Sequence, residues 1–196
     1  YRGFMKSFDL LKKIKKIDRG FFTVEDLEKI TGLKRNYLYL QLSRWIKSGV
    51  LERIARGIYA SPGTNIEIEK VASFLYPPNY LSFESALASY GILNLIPYTL
   101  TFATTRRTKT YKFQGKEVLF RQIKKSLFFG YEEKKGIYIA SPEKAFLDQV
   151  YMVKKGLASF PTNEIDIKRL SKTKIKKILP SFPGNVRDFV EDIGIV

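Results

Sequence analysis

The chain has 196 residues, and its 35 Lys and Arg side chains against 19 Asp and Glu give a formal net charge of +16. A content of 44% hydrophobic and 14% aromatic residues is typical of a folded protein of one or two domains. The sequence contains no Cys and no His, which excludes disulfides, thiolate or imidazole metal ligands, and catalysis by either side chain. No apolar run reaches the roughly 18 residues of a membrane span, so we expect a cytoplasmic protein without a membrane partner.

The excess of positive charge predicts a polyanionic partner, and nucleic acid is the commonest polyanion inside a cell. A well-solvated basic surface would give the same composition. Charge alone therefore does not decide between a nucleic-acid partner and a solvated basic surface. Local sequence patterns are more informative.

The first third of the chain is predicted to form three helices and a hairpin. Thr23 is a predicted N-cap for a second helix over residues 24–30, which Gly32 ends, and a third helix runs from about 34 to 48 and stops at Gly49. The first helix is amphipathic, with apolar residues at helical spacing: Phe8, Leu11, Ile14 and Ile17.

The third helix has two distinct faces. Its apolar stripe consists of Leu38, Leu42 and Trp45. The opposite side carries Asn36, Tyr37, Leu40, Arg44 and Lys47. Two β-prone segments follow, residues 50–54 and 58–60, and Gly57 between them can adopt the positive φ that a tight hairpin requires.

This order of elements is that of a winged helix-turn-helix, in which the third helix enters the major groove and the hairpin wing contacts the DNA backbone or minor groove. The leading turn of the third helix, which faces base edges, consists of Lys34, Arg35, Asn36 and Tyr37. Arg can pair with guanine and Asn with adenine. Arg44, Arg53 and Arg56 are better placed for phosphates. Alternatively, Arg35 and Tyr37 cover the edges of the core with their stems and rings.

A run of turn-forming residues at 61–65 predicts the domain boundary. We therefore expect an α+β protein, with a winged helix-turn-helix domain over residues 1–61 and a mixed α/β domain over 62–196 that has a helical tail from about 164. Residues 1–61 carry 14 basic and 6 acidic side chains, as expected of the main nucleic-acid contact. In the second domain the patterns predict the following elements: helices over 68–75 and 83–90, strands over 99–104, 111–113, 116–123 and 136–140, a helix starting at Ser141-Pro142-Glu143, and short helices near 171–179 and 185–193.

Residues 101–125 contain eight basic side chains and one acidic one. The candidates for a second basic surface are Arg106, Arg107, Lys109, Lys112, Arg121 and Lys124. With Tyr111, Phe113 and Phe120 interleaved, such a surface could bind a phosphate backbone or stack on bases. It could equally dock an acidic protein, or be a solvated strand edge whose lysines discourage aggregation.

An enzymatic function finds little support. The closest approach to a metal-dependent nuclease is Glu143, Lys144 and Asp148, but the two carboxylates lie about 140° apart around a helix, too far to bridge one ion. Asp148 is better explained as a buried hydrogen-bonding group and Glu143 as a helix-start residue. No phosphate-binding Gly-rich loop is present. We therefore expect no enzyme activity, no metal and no cofactor.

Three segments together resemble the AbiEi family of abortive-infection antitoxins. They are residues 49–53 with 56–59 in the wing, Tyr80-Leu81-Ser82-Phe83-Glu84-Ser85-Ala86-Leu87, and Ile139-Ala140-Ser141-Pro142-Glu143-Lys144-Ala145-Phe146-Leu147-Asp148. The wing pattern is shared by many winged-helix regulators, whereas the two later segments are much more specific. The similarity spans about residues 20–155.

The resemblance implies a transcriptional regulator whose winged helix binds inverted repeats in its own promoter and represses its operon, with Arg35, Asn36 and Arg44 acting in operator binding. It also implies a C-terminal antitoxin that counteracts a nucleotidyltransferase toxin in a type IV system, without a stable complex between the two. The alternatives are a metal-dependent nuclease or RNA-binding accessory protein, and a stand-alone regulator whose second domain senses a ligand or dimerises.

Overall fold

A computed structural model of the chain describes residues 5–17, 20–113, 115–159 and 164–195. The chain divides into two compact units, Tyr1–Val71 and Ala72–Val196. This division lies beyond the turn-rich segment 61–65 where the sequence places the boundary. The backbone at Asn65 packs against Gly20, and Ile66 is buried, so the residues after the wing still belong to the first unit.

The first unit is a winged helix. Its elements are α1 (Ser7–Ile14), β1 (Phe22–Thr23), α2 (Val24–Thr31), α3 (Arg35–Lys47), β2 (Glu52–Ala55) and β3 (Ile58–Ala60). The three strands form an antiparallel sheet in the order β1-β3-β2. The predicted helices and hairpin are confirmed, while the two-residue strand β1 was not predicted.

The start of α2 follows from its sequence. The Oγ1 of Thr23 accepts a hydrogen bond from the amide of Asp26 at 3.1 Å, and the Asp26 carboxylate accepts one from the amide of Thr23 at 2.9 Å. This reciprocal capping box satisfies two amides that a helix start leaves unpaired. Gly32, at φ 70°, then ends the helix and turns the chain into α3.

The buried face of α1 differs from the prediction. Leu10 and Ile14 are buried, whereas Phe8 is 74% exposed and Ile17 is 39% exposed. Of the predicted stripe, Ile14 is buried and Leu11 is partly buried against the core, while Leu10, which the prediction left out, is fully buried. Leu10 and Ile14 are the pair that enters the core. Together with Leu27, Leu42 and Trp45, this pair forms the core of the unit.

The second unit is built on a six-stranded mixed sheet. In chain order its elements after α4 (Ile68–Leu75) are β4 (Asn79–Leu81), α5 (Phe83–Ser89), β5 (Thr99–Thr104), β6 (Lys109–Phe113), β7 (Lys116–Gln122), β8 (Tyr131–Lys134), β9 (Ile137–Ala140), α6 (Pro142–Lys154), α7 (Lys172–Ile178) and α8 (Gly184–Asp192). The strand order is β6-β7-β5-β4-β9-β8, with parallel pairs β5/β7 and β4/β9. The predicted helices and strands are present, and β4 and β8 are additional.

The central helix of the second unit is α6, which packs against α5, β9, α7 and α8. Every residue from Glu143 to Met152 is buried, polar ones included. Ser141 caps this helix by accepting from the amide of Lys144, and Pro142 occupies its first turn, as predicted. A helix buried on all sides must find partners for its polar side chains, and these partners come from the strands and turns around it.

Candidate DNA-binding surface

The exposed face of α3 is the first part of the candidate site. Leu38, Gln41, Leu42 and Trp45 are buried, so the opposite face of the helix points to solvent. On that face Tyr37 is 55% exposed and Leu40 is 61% exposed. The other exposed residues of the same face are Asn36, Arg44 and Lys47. A polar face with two large apolar side chains suits a groove in which bases present both hydrogen-bonding edges and methyl groups.

The first turn of α3 presents Lys34 and Asn36 to solvent. Lys34 is the N-cap residue, in an extended conformation, and its side chain makes no capping hydrogen bond. Lys34 and Asn36 are both exposed, ahead of the buried Leu38. The structure therefore brings the predicted leading residues to one end of the helix, where a recognition helix approaches base edges.

Arg35 lies at the predicted position but is bound within the unit. Its Nε donates to Glu28 Oε1 at 3.1 Å, and its Nη2 donates to Glu28 Oε2 at 3.1 Å and to Glu25 Oε1 at 2.7 Å. The hydrogen bonds and charge of Glu28, with those of Glu25, raise the pKa of the Arg35 guanidinium. The pKa of Glu25 is lowered, first by its own backbone amide and then by Arg35. Arg35 thus ties α3 to α2.

The sequence did not predict these two partners. Glu25 and Glu28 lie on successive turns of α2, and the only signal was that acidic residues at this spacing share one helix face. Which basic residue they meet depends on the angle between α2 and α3. The three donor contacts make Arg35 a brace across the helix-turn-helix.

The wing provides the second part of the site. β2 and β3 are joined by a turn in which Gly57 has a φ of 77°, a conformation that favours glycine. Arg56 is exposed at this turn, and the exposed Arg53 donates from Nε to the carbonyl of Ala55 at 3.4 Å. Both cations therefore lie at the solvent side of the hairpin, as needed for phosphate contacts.

The wing and α3 pack around a common core. Tyr59 of β3 belongs to the same buried cluster as Leu38, Leu42 and Trp45 of α3. Burial raises the pKa of Tyr59, with Arg53 opposing and Tyr39 of α3 adding to the effect. The exposed face of α3 and the two wing arginines therefore lie on elements that pack around one core.

The proposed second basic surface is only partly assembled. Arg106, Arg107, Lys109 and Lys112 are exposed on the edge strand β6 and the turn before it. The Arg106 guanidinium lies 4.0 Å from the centre of the Tyr76 ring. Lys112 Nζ lies 3.5 Å from Glu117. These four cations therefore follow one edge of the sheet.

Two residues predicted for the second basic surface, Arg121 and Lys124, do not lie along this edge of the sheet. The Arg121 side chain is only 13% exposed, and its Nη1 donates to Glu84 Oε2 at 2.8 Å. Arg121 lies on the sheet face that is turned toward α5 and α6, where it contacts Glu84 and Gln149. Lys124 is exposed but lines a different cavity, of about 400 Å³, together with Lys154 and Lys155.

The aromatic residues of this stretch are also unavailable for base stacking. Phe113 and Phe120 are buried. Tyr111 packs edge-on against Phe120 at 5.8 Å between ring centres. Along β6, Lys109, Tyr111 and Phe113 alternate onto one face, and Lys109 Nζ lies 4.7 Å from the centre of the partly buried Tyr111 ring.

The two specific motif segments of the second unit meet in its interior. Asp148 Oδ2 accepts hydrogen bonds from the Tyr80 hydroxyl and the Ser82 hydroxyl, each at 2.9 Å. Asp148 Oδ1 accepts from Lys144 Nζ, which also donates to the Tyr80 oxygen at 2.9 Å. Burial raises the pKa of Asp148, opposed by Lys144, and burial lowers the pKa of Lys144.

This network joins β4 and its following turn to α6. The side chains of Lys144 and Asp148 are fully buried. Glu143 is also buried, and its Oε1 accepts from the amide of Ser171 at 3.2 Å. The three residues that come closest to a nuclease site therefore face the core. Within the described ranges, no three acidic side chains converge in a metal-binding group.

Comparison with protein families identifies the first unit. Residues 10–62 match a family model described as a transcriptional regulator, AbiEi antitoxin. The match runs from α1 through β3 and confirms, for this segment, the resemblance seen in the sequence. No curated protein matches the chain. None of the helices in the described part of the chain has the length and apolar character needed to cross a membrane.

Proposed function

We propose, from the match of residues 10–62 to the family model of the AbiEi antitoxin transcriptional regulators, that this chain is a sequence-specific DNA-binding repressor of its own operon. Its operator is an inverted repeat of double-stranded DNA. The observation that carries the proposal is the exposed, basic face of α3 together with the exposed arginines of the wing, on elements that pack around one core.

In this proposal the residues have separate roles. Lys34, Asn36 and Tyr37 face base edges from the first turn of α3, and Asn36 pairs with adenine. Arg44, Arg53 and Arg56 contact phosphates, which fix the position of the protein on the duplex. Arg35 holds α3 at its angle to α2 through Glu25 and Glu28.

The second unit is the antitoxin half of the proposal. It counteracts a nucleotidyltransferase toxin encoded beside it, in a type IV system and without forming a stable complex. Both proteins act in the cytoplasm. The family model that matches residues 10–62 is described as an antitoxin, and this match lies in the first unit. The exposed cations of β6 and of the turn before it are a further candidate contact for a polyanion, because four of them follow one edge of the sheet.

A gel-shift titration tests the repressor proposal. The full chain is titrated against DNA from immediately upstream of its gene, with unrelated DNA as competitor, at two salt concentrations. We expect specific binding that weakens steeply with salt, because each phosphate contact releases counterions. Asn36→Ala should cost about 1–3 kcal/mol on the upstream DNA alone.

A phosphate contact should behave differently in the same assay. Arg56→Ala should weaken binding to both DNAs and lower the salt slope by about one unit. Lys29→Ala, which removes an exposed cation from α2, is the matched control and should change little. Equal and weak binding to both DNAs by the unchanged chain would contradict the proposal.

A further inference from the structure

A cavity of about 510 Å³ opens on the second unit beside β4, β8 and β9. Its volume lies within the range of small-molecule sites. Its described lining contains no charged side chain, although the sequence has 35 Lys and Arg residues. Most of its wall is made by rings: Phe74, Phe128, Tyr131, Tyr138, Pro77 and Pro78.

One polar side chain in the wall has an unused acceptor. Asn79 is 7% exposed, and its Nδ2 donates to the carbonyl of Ser73 at 2.9 Å. Because that carbonyl can only accept, the amide orientation is fixed. Asn79 Oδ1 is buried and has no hydrogen-bond partner in the described part of the chain. A buried acceptor without a donor is unfavourable, and a ligand N–H would satisfy it.

The rings of the wall are held in place from behind. Tyr131 stacks on Tyr80 with ring centres 4.6 Å apart and planes inclined by 19°. It also makes edge contacts with Phe128 at 5.2 Å and with Tyr138 at 5.5 Å. The Tyr80 hydroxyl is fixed in turn by Lys144 and Asp148. The aromatic wall is therefore organised before any ligand arrives.

Two of the rings are only half covered. Tyr138 is 50% exposed and Phe74 is 48% exposed. Large aromatic surfaces at the edge of an apolar cavity favour a flat ligand that can contact ring faces. The ligand must supply both a π surface and an N–H donor.

These requirements exclude several ligand classes. A phosphate or carboxylate has no N–H donor and would find no cation in the wall. A quaternary ammonium group could lie against the rings but would leave Asn79 Oδ1 unpaired. An aliphatic chain would also leave Asn79 Oδ1 unpaired. A heteroaromatic ring with an amino or imino N–H meets both requirements.

We propose that this cavity binds a nucleobase, whose ring packs on Tyr131 and Tyr138 and whose N–H donates to Asn79 Oδ1. The base is either that of a free nucleoside or nucleotide, or one that is unstacked in single-stranded nucleic acid. This site is separate from the surface of α3 and the wing, and operator binding does not depend on it.

Uncharged nucleosides are the appropriate probes, because phosphates would bind a chain of charge +16 without using the cavity. Adenosine, guanosine, cytidine and uridine are each titrated into the full chain by calorimetry. We expect at least one to bind. Tyr138→Ala should weaken that nucleoside roughly five-fold or more, since base–aromatic stacking is lost.

Tyr98→Ala is the matched control. Tyr98 is an exposed tyrosine of the same unit, 78% exposed, and does not line the cavity. This variant should bind the nucleoside as the unchanged chain does. Because Tyr138 is half exposed and Tyr98 more so, both variants are expected to fold, and circular dichroism checks this.

The role of Asn79 is tested with a pair of ligands that differ in one N–H. If adenosine binds, it is compared with purine riboside, which lacks the exocyclic amino group. Any other nucleoside that binds is compared with an analogue that lacks one N–H donor of its base. The unchanged chain should bind the ligand that carries the N–H about ten-fold more tightly than the analogue, and Asn79→Ala should abolish this difference in affinity. A short single-stranded RNA containing the preferred base, titrated at high salt, distinguishes the two sources of the base.

Two results would overturn the proposal. One is that no nucleoside and no single-stranded RNA binds at millimolar concentration. The other is binding that survives both Tyr138→Ala and Asn79→Ala unchanged.

Discussion

Arg35 occupies the leading turn of α3, where the sequence predicts a base contact, but its guanidinium is bound to two carboxylates of α2. The position of a residue on a recognition helix could be predicted from spacing. Its partners could not, because they depend on how two helices cross. Asn36 and Tyr37, one and two residues further on, stay exposed as the sequence predicts.

Substituting the partners of Arg35 distinguishes a structural tie between α2 and α3 from a direct contact between Arg35 and a base. We expect Arg35→Ala to weaken operator binding in the unchanged chain, because α3 loses its tie to α2. In a Glu25→Gln/Glu28→Gln background the same substitution should have a much smaller effect, since the tie is already weakened. Gel-shift affinities of the four proteins measure this coupling. An equal or larger effect in the double-glutamine background would mean that Arg35 contacts DNA directly.

Among the secondary-structure elements, the starts and ends of helices were predicted best, because capping residues act within a single helix. Thr23 and Asp26 form the capping box, Gly32 ends α2, and Ser141 with Pro142 begins α6. The face of α1 was predicted only in part: Ile14 and Leu11 lie in or against the core, Phe8 and Ile17 are exposed, and Leu10 was missed. Several apolar residues fit the helical period, and only tertiary packing selects among them.

Strands at the edges of the sheet were harder to predict. β8 has the sequence Tyr-Glu-Glu-Lys, and only Tyr131 in it is partly buried. The residues of β8 after Tyr131 are all exposed, so the strand shows no alternation of apolar and polar side chains. The cavity beside β8 could not be predicted from the sequence either, because its walls come from separate stretches of the chain, within residues 73–79, 128–131 and 136–138.

The cap of α2 should contribute measurably to the first unit. Thr23→Ala removes the acceptor for the Asp26 amide, and we expect a loss of about 0.5–2 kcal/mol in the free energy of unfolding. Thr23→Ser keeps the hydroxyl and should lose far less. Urea unfolding followed by the fluorescence of Trp45, the single tryptophan, reports on this unit. Equal stability of the alanine and serine variants would contradict the capping role.

At the scale of the whole molecule, each unit has its own organising feature. In the first, α3 and the wing pack around one core, and each presents exposed cations. The second is arranged around α6, where residues from two distant motif segments, Tyr80 to Ser82 and Lys144 to Asp148, form one buried polar network. This explains why the two segments occur together: neither can bury its polar groups without the other.

Breaking this network should destabilise the second unit strongly. Asp148→Asn leaves the buried Lys144 amine without its counter-charge, and we expect a loss of about 3–5 kcal/mol in the free energy of unfolding. The double variant Lys144→Met/Asp148→Leu should lose less than Asp148→Asn, because no charge remains buried. Circular dichroism during urea unfolding measures both.

An exposed ion pair serves as the control for this prediction. Glu132→Gln breaks the surface contact with Lys134 and should change the free energy of unfolding by no more than about 0.5 kcal/mol. Unfolding of the Asp148→Asn variant at the same urea concentration as the unchanged chain would contradict a structural role for the network.

The central claim, repression through α3 and the wing, is tested most directly by a reporter gene placed behind the chain's own upstream region. Expression of the unchanged chain should lower reporter output, and the combined variant Asn36→Ala/Tyr37→Ala/Arg56→Ala should restore it at equal protein level. The Lys29→Ala variant should repress as the unchanged chain does. A reporter that responds equally to the unchanged chain and the combined variant would contradict the account.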